Sequence, residues 1–392
     1  MSSKFAFFLH MYQPPFPVQT PEVLDRIINN SYIPLTKEFI KTGKRLTINI
    51  NASLTEMLEI HQTGNQVIAN LNTLASNNQI EFLESGAYHP LLPLLSAEDI
   101  NAQIKLNHKI NSRILGSCYR PVGFFPPELA LDNNVAKIVS KYEGYRYTLA
   151  SDPTFGSLSF DKIPYFISKG RKFFVIRRNR FLSNDIAFRS FSTVEAVESA
   201  FSRFDYVPVV GMDFETFGEH HFGYETFLSK ILNKITSVPV YEYLDTMIQQ
   251  DKVIEIALED LKPSSWSTEP NDITRGIPFP LWDNPTNVLH QLILTLMDIL
   301  EQSMQFIEPK DRPINFYKSQ QSCQLWWCSE GRFGPSLVKR ATSFQVSTLT
   351  SIQDLVQNFS PERKKALDSL LGIADRLLKK INYLIEVRTF TK

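Results

Sequence analysis

The stretch DFETFGEHH, residues 213 to 221, holds Asp213, Glu215, Glu219, His220 and His221 directly after the apolar run VPVVGM. Asp213 and Glu215 are two apart, so on an extended backbone their side chains face the same way. Carboxyls so placed raise the pKa of one of the pair, and a carboxyl that holds its proton near neutrality can act as a general acid. A further acid, Glu128, stands in GFFPPELAL (123–131), after two phenylalanines and two prolines, where an ionised group is costly unless something compensates it. Two carboxyls flanking one bond are the working parts of a glycosidase, one as acid and the other as nucleophile or base. The residues alone do not say which acid takes which part.

Plainer readings stand beside these. Glu128 also suits the cap of a helix beginning near Leu129, and Asp213 suits a strand end that bonds turn amides. His10 and His89, taken singly, read as core histidines or as contacts to substrate hydroxyls. The Glu-His-His run at 219–221 has the donor types of a zinc or manganese site, which keeps open a metal-dependent polysaccharide deacetylase or mannosidase. A non-catalytic carbohydrate-binding protein is the reading from another class.

The elements that must position these residues alternate. Short apolar runs at 4–10, 45–50, 80–85, 121–126, 145–150, 172–178 and 206–213 read as strands, separated by segments of helical period, which predicts an α/β fold with seven strands. Thr20-Pro21 and the SAED run at 96–99 are helix-start signals. If the strands run parallel, the loops at their C-terminal ends carry the site, and His10, His89, Glu128 and Asp213 all follow such ends. Past residue 280 the pattern is helical. Val288, Leu289, Leu292, Ile293, Leu296, Ile299 and Leu300 form one stripe, and Leu367, Leu370, Leu371, Ala374, Leu377 and Leu378 form another behind Ser360-Pro361. The expected division is a catalytic domain over 1–280 and a helical domain over 281–392.

Composition narrows the partners. Lys and Arg total 41 against 41 for Asp and Glu, so no net field favours nucleic acid or an anionic membrane, and a neutral ligand fits best. Cys118, Cys323 and Cys328 form no CxxC pair, so neither a disulfide framework nor a zinc ribbon is indicated. The N-terminal apolar run is broken at His10, too short for a signal peptide, and no stretch approaches the length of a membrane span. The expectation is a soluble, cytoplasmic protein.

Four segments in order, HMYQPP (10–15), ESGAYHPLLPL (84–94), GFFPPE (123–128) and DFETFGEHH (213–221), resemble conserved regions of glycoside hydrolase family 57, whose members act mostly on α-glucans. SSWS (264–267), PLWDNPTN (280–287) and SCQLWWCSEGRF (322–333) are similar to its more variable later segments. The chain departs from the family pattern in separating His10 from Gln13 by Met11 and Tyr12, in carrying Phe125-Pro126 where a tryptophan is common, and in Ser322-Cys323. The resemblance implies an incomplete (β/α)7 barrel with a C-terminal helical bundle, Glu128 as nucleophile, Asp213 as acid/base, and no cofactor or metal. It implies a retaining glycosidase or 4-α-glucanotransferase acting on an α-glucan or oligosaccharide. Substrate contacts are expected from His10, Gln13, His89, Glu215 and His220, with Trp282, Trp326 and Trp327 as either sugar platforms or filler between barrel and bundle.

Overall fold

A computed structural model describes residues 4–356 and 359–390, the side chain of Phe390 excepted. Among the described residues ten strands occur in order: β1 (Lys4–Met11), β2 (Leu46–Ile50), β3 (Ile80–Glu84), β4 (Gly123–Phe124), β5 (Tyr147–Ala150), β6 (Ile163–Ser168), β7 (Arg171–Arg177), β8 (Val209–Asp213), β9 (Thr236–Val238) and β10 (Val253–Glu255). They form one sheet in the order β10-β6-β7-β5-β4-β3-β2-β1-β8, with β9 beside β1. From β7 through to β8 every neighbour in that order is parallel, and these strands are the seven read from the sequence. This is the incomplete (β/α)7 barrel.

The strands not foreseen are β6, β9 and β10. β6 runs antiparallel to β7, joined by Lys169 and Gly170, both in left-handed backbone, as a tight hairpin turn requires. The expected helix starts are formed: Thr20 Oγ1 accepts from the Val23 N–H at 3.4 Å, and Ser96 Oγ accepts from the Asp99 N–H at 3.2 Å at the head of the helix Ala97–Leu115.

Alternation along the strands fills the inside of the sheet. Ala6 and Phe8 of β1, Leu83 of β3, Tyr147 and Leu149 of β5, Phe174 and Ile176 of β7 and Val209 of β8 pack in one core cluster. Val240, Tyr243, Leu244 and Met247, from the helix Val240–Gln249, complete it. That helix is tied to the strands through its first amides. The Val240 N–H donates to Thr47 Oγ1 at 2.8 Å and the Tyr241 N–H to Glu81 Oε2 at 3.1 Å. Tyr147 and Thr47 hydroxyls also donate to Glu81, whose carboxyl burial pushes up to about 7.

Among the described residues no ladder forms between β7 and β8. Just beyond β7, the Asn179 N–H donates to the Val209 carbonyl and Arg178 Nε to the Gly211 carbonyl, both at 2.7 Å. Hydrogen bonds of this isolated kind therefore join the two arms of the sheet where a continuous barrel would have paired strands.

The chain divides into two compact units, Met1–Gln13 with Gln19–Glu269, and Pro14–Val18 with Pro270–Lys392. The break follows Glu269 because the segment before it is bound to the barrel: Leu131 and Ser264 exchange backbone hydrogen bonds at 2.9 and 3.1 Å. The second unit is helical, dominated by Val288–Met304, Pro335–Val356 and Pro361–Phe390. Leu289, Ile293, Leu296 and Leu300 are buried on the first of these and Leu367, Leu371, Ala374 and Leu378 on the last, the stripes set by helical period. Among the described residues, no helix is long and apolar enough to cross a membrane.

Gly211 shows how closely the interior is filled, since a Cβ there would lie 2.1 Å from Cζ of Phe8. Gly211→Ala should destabilise the chain by about 1–3 kcal/mol through overpacking, read as a lower urea midpoint with an unchanged slope.

Candidate active site

The alternation that buries Ala6 and Phe8 puts His10 next on the same face, and strand register sets its neighbours. His10 pairs with Asp213 on β8 and with Asn49 on β2. Parallel strands lie about 4.8 Å apart, so these three polar side chains emerge side by side where the core ends. Arg178, next after Ile176 in the phase of β7, joins them. It is buried, with Nη2 donating to Asn184 Oδ1 at 2.9 Å, Nη1 unpartnered, and the guanidinium 5.6 Å from the Trp266 ring.

Glu128 reaches the site by a tight turn. Pro126 and Pro127 lead into it, and Glu128 and Leu129 then both take left-handed backbone, with φ of 62° and 48°. Each such residue costs of order 1 kcal/mol or more and needs its surroundings to hold it. The hold comes from the segment at 264–266, where the Trp266 N–H donates to the Glu128 carbonyl at 3.0 Å beside the Leu131–Ser264 pair. The Trp266 indole then donates to Glu128 Oε2 at 2.7 Å. The capping reading of Glu128 fails, because the helix starts at Asn133 with Asp132 as its cap, Oδ1 accepting from the Val135 N–H at 2.7 Å.

Glu215 sits deeper, fixed by three side chains. Gln13 Nε2 donates to its Oε1 at 2.8 Å, the Tyr32 hydroxyl donates to the same oxygen, and Gln19 Nε2 donates to Gln13 Oε1 at 2.5 Å. The loop after β8 passes close enough to allow this because Gly218, at φ 102°, has no Cβ. One there would stand 1.9 Å from the Asn30 carbonyl oxygen.

The negative charge of Asp213 acts on all of these groups. Burial pushes the Glu128 carboxyl up to about 8, and Asp213 adds to the rise, while the Trp266 indole opposes it. Glu215 is also pushed up to about 8, by burial first and then by Asp213, against the Tyr32 and Gln13 hydrogen bonds. Arg178 is drawn down to about 10 by burial, with Asp213 opposing the fall. Near neutrality, then, three neighbouring carboxyl groups share much less than three negative charges. Among the described residues Asp213 accepts no side-chain hydrogen bond, and its carboxylate is partly exposed.

His89, also left-handed at φ 55°, belongs to the group. Its Nδ1 lies 3.8 Å from Glu128 Oε1, its Nε2 lies 3.0 Å from His10 Nε2, and Tyr12 stacks on its ring at 3.9 Å. Of the residues expected at the site, Glu128, Asp213, His10, Gln13, His89 and Glu215 are brought together and His220 is not. Its side chain is exposed and, among the described residues, has no hydrogen bond or ring contact with any of them, although its backbone N–H donates to the Glu215 carbonyl at 2.8 Å. Its neighbours diverge as well: Glu219 binds Arg26 at 2.6 Å and His221 Nε2 meets the Ala187 carbonyl at 2.9 Å. Among the described residues no group of three such side chains converges to hold a metal ion.

Trp282, Trp326 and Trp327 belong to the second unit. Trp282 is fully buried, Trp326 has the Arg332 guanidinium 5.4 Å from its ring, and Trp327 packs on Val18, Ala341 and Phe344. Asn49, Tyr32, Arg178 and Trp266 are site residues that the sequence reading did not select. Asn49 and Arg178 carried a signal, a polar residue in the core phase of an apolar strand. Trp266 lies in the family-like SSWS segment, which suggested no role for it, and Tyr32 carried no signal.

A parallel barrel with carboxyls gathered at the C-terminal ends of its strands has the parts that acid–base chemistry on a glycosidic bond requires. The sequence profile of Glycosyl hydrolase family 57 matches residues 7–259, and the chain belongs to that family. A protein of Methanocaldococcus jannaschii named "Putative alpha-amylase" is 25% identical over 275 residues, 64% of this chain and 57% of that protein. This chain thus spans little more than half of that relative's length. Among solved structures, a branching enzyme of Thermococcus kodakaraensis superposes with a TM-score of 0.69 at 15% identity, covering 94% of each chain. The 4-alpha-glucanotransferase of Thermococcus litoralis superposes at 0.66 with 19% identity, covering 88% of this chain and 59% of its own. At such identities the superpositions show a shared fold.

Two outcomes follow from the charge arrangement. Trp266→Phe removes the donor that lowers the Glu128 pKa, so carboxyl 13C NMR should find Glu128 titrating above the wild-type value of about 8. Glu215 ionises near 4.5 when unfolded and near 8 when folded, so the folded state holds the extra proton and stability falls as pH rises across that window. Glu215→Gln should therefore flatten the fall, leaving the variant more stable than wild type at pH 8 and the difference shrinking toward pH 4.5, as read by urea titrations.

Proposed function

We propose that this protein is a retaining glycosidase or 4-α-glucanotransferase acting on α-glucans, with Glu128 as nucleophile and Asp213 as acid/base. The observation that carries this reading is the placement of Glu128: a strained turn, fixed from two sides by Trp266, aims its carboxyl into the group of acids around Asp213. The family assignment and the α-glucan-acting names among its relatives support the substrate class.

The reaction divides between the two acids. Glu128 attacks the anomeric carbon as a carboxylate while Asp213 gives a proton to the leaving glycosidic oxygen. In the second step Asp213, now ionised, takes a proton from water or an acceptor hydroxyl, which displaces Glu128 from the glycosyl ester. The charge state suits this: with Glu215 protonated, Glu128 and Asp213 need to hold only one proton between them, and substrate binding relocates that proton without bringing a second charge into the site. Tyr12, which stacks on the His89 ring, offers its own ring to sugar C–H faces beside Glu128, while both nitrogens of His10 are taken by Asn49 and His89. Gln13 contributes through Glu215. No metal or cofactor enters these steps. The three cysteines form no disulfide, in keeping with a cytoplasmic enzyme.

Incubation with maltooligosaccharides tests the assignment. Asp213→Asn should lower turnover by about 10²–10⁴-fold, and Glu128→Gln should abolish accumulation of the glycosyl-enzyme in a quenched reaction followed by mass spectrometry. Unchanged products from either variant would remove that residue from the mechanism, and binding of glucan without turnover by the wild type would make this a carbohydrate-binding protein. Chromatography of the products separates transfer, which gives a ladder of longer chains, from hydrolysis, which only shortens them.

A further inference from the structure

The helix Ala97–Leu115 and the segments that lead into β4 and β5 enclose a cavity of about 600 Å³ that opens to solvent. Those segments lie at the strand ends opposite to the barrel mouth. The walls are apolar, with Pro121 and Val122 before β4 and Tyr142 and Tyr145 before β5. Apolar walls close on one another unless something holds them apart, and here Glu84 does so. Leu83 points into the barrel core, so its neighbour Glu84 points outward to the helix. Its fully buried carboxyl accepts from the Tyr119 hydroxyl at 2.9 Å, the Tyr145 hydroxyl at 3.1 Å and His108 Nδ1 at 2.9 Å. The Tyr142 hydroxyl donates to Asn101 Oδ1 at 2.7 Å, and Arg171 donates to the Tyr145 and Ser140 carbonyls at 2.7 and 2.8 Å. The reaction at Glu128 uses none of these contacts.

The rim is cationic. Lys105, His108 and Lys109 stand at i, i+3 and i+4 on the helix, and so share one face. Arg120 comes from the facing segment, its Nε fixed on the Ser117 carbonyl at 2.9 Å. Among the described residues Lys105, Lys109 and the Arg120 Nη atoms have no ion pair, and Glu143, the acid in the lining, pairs with none of them. His108 Nε2, the nitrogen that Glu84 does not engage, is also without a partner among the described residues. The Glu84 hydrogen bond raises the His108 pKa, so its imidazolium persists to higher pH than an ordinary histidine's.

We propose that this cavity is a second ligand site, which takes a phosphate ester carried on a ring: the ring lies against the tyrosine and proline walls, and Lys105, His108, Lys109 and Arg120 bind the phosphate. That chemistry is shared by nucleoside monophosphates and hexose phosphates, since a base stacks on tyrosine through its π face and a sugar through its C–H face. A volume of about 600 Å³ is that of a small-molecule site. A cluster of cations suits a dianion better than a carboxylate, which a single guanidinium satisfies, and a neutral sugar would make no use of the charge. Nucleic acid and anionic membranes fit less well, because the chain, with 41 basic residues against 41 acidic, has no net field to attract an extended polyanion.

The test is a titration of the full chain, labelled with 15N-histidine, with adenosine monophosphate and with glucose 6-phosphate, using adenosine, glucose and inorganic phosphate as controls. A bound ester should shift the His108 imidazole signals while those of His10 and His89 stay in place, and its affinity should fall as salt is added. Lys105 and Lys109 are exposed, so Lys105→Gln and Lys109→Gln keep the fold; each should weaken the ester about three- to tenfold and leave turnover of maltooligosaccharides at the wild-type level. Tighter binding of adenosine monophosphate identifies a nucleotide site and tighter binding of glucose 6-phosphate a hexose phosphate site, and either result supports the proposal. It is overturned if neither ester binds, if adenosine and glucose bind as tightly as their esters, or if inorganic phosphate alone does. Unmoved His108 signals at saturation overturn it too, and that measurement needs no variant.

Discussion

The arrangement of this protein turns on the cost of gathering carboxylates out of water. Glu128, Asp213 and Glu215 come from two loops and one strand end into a space where each ionised group raises the energy of the next. The chain answers that cost with specific donors. Trp266 serves Glu128, Tyr32 and Gln13 serve Glu215, and the Arg178 cation lies within the field of Asp213. The donors do not cancel the cost. Both glutamates retain their protons well above the usual carboxylate range, which is a disadvantage for stability and a condition for acid–base chemistry.

Convergence over such sequence distances depends on a parallel sheet. Parallel strands place all their C-terminal ends on one side, and a two-residue period decides which side chains point inward there. Ala6, Phe8 and His10 share one phase on β1, and Val209, Gly211 and Asp213 share the same phase on β8, paired residue by residue. Core and site are thus successive layers of one packing scheme. The apolar layers supply the stability against which the polar layer and the strained turn at Glu128 are held.

Much of this was legible beforehand. The seven parallel strands were marked by apolar runs, and the helical part by stripes of three-and-four spacing, because burial against a sheet or a neighbouring helix leaves those periods in the residues. β6 escaped notice since KIPYFIS lacks strong alternation, although the Lys169-Gly170 turn marked the hairpin. β9 and β10 are three residues each, too short for a period to register. The acids at Glu128, Asp213 and Glu215 stood out as carboxyls beside apolar runs, and so did His10 and His89 at strand ends. His220 looked equivalent and is not, since the backbone beyond Phe217 turns it out to solvent.

What the sequence determined by itself was the class of fold, the family and the acids near the chemistry, all of which depend on residue type and local spacing. Only the tertiary structure decided that Trp266 and Tyr32 hold those acids, that Asn49 faces His10, and that His89 lies beside Glu128. These are contacts between residues 39 to 183 positions apart, set by strand register and by which way a loop crosses the barrel mouth, and no local pattern encodes such a crossing.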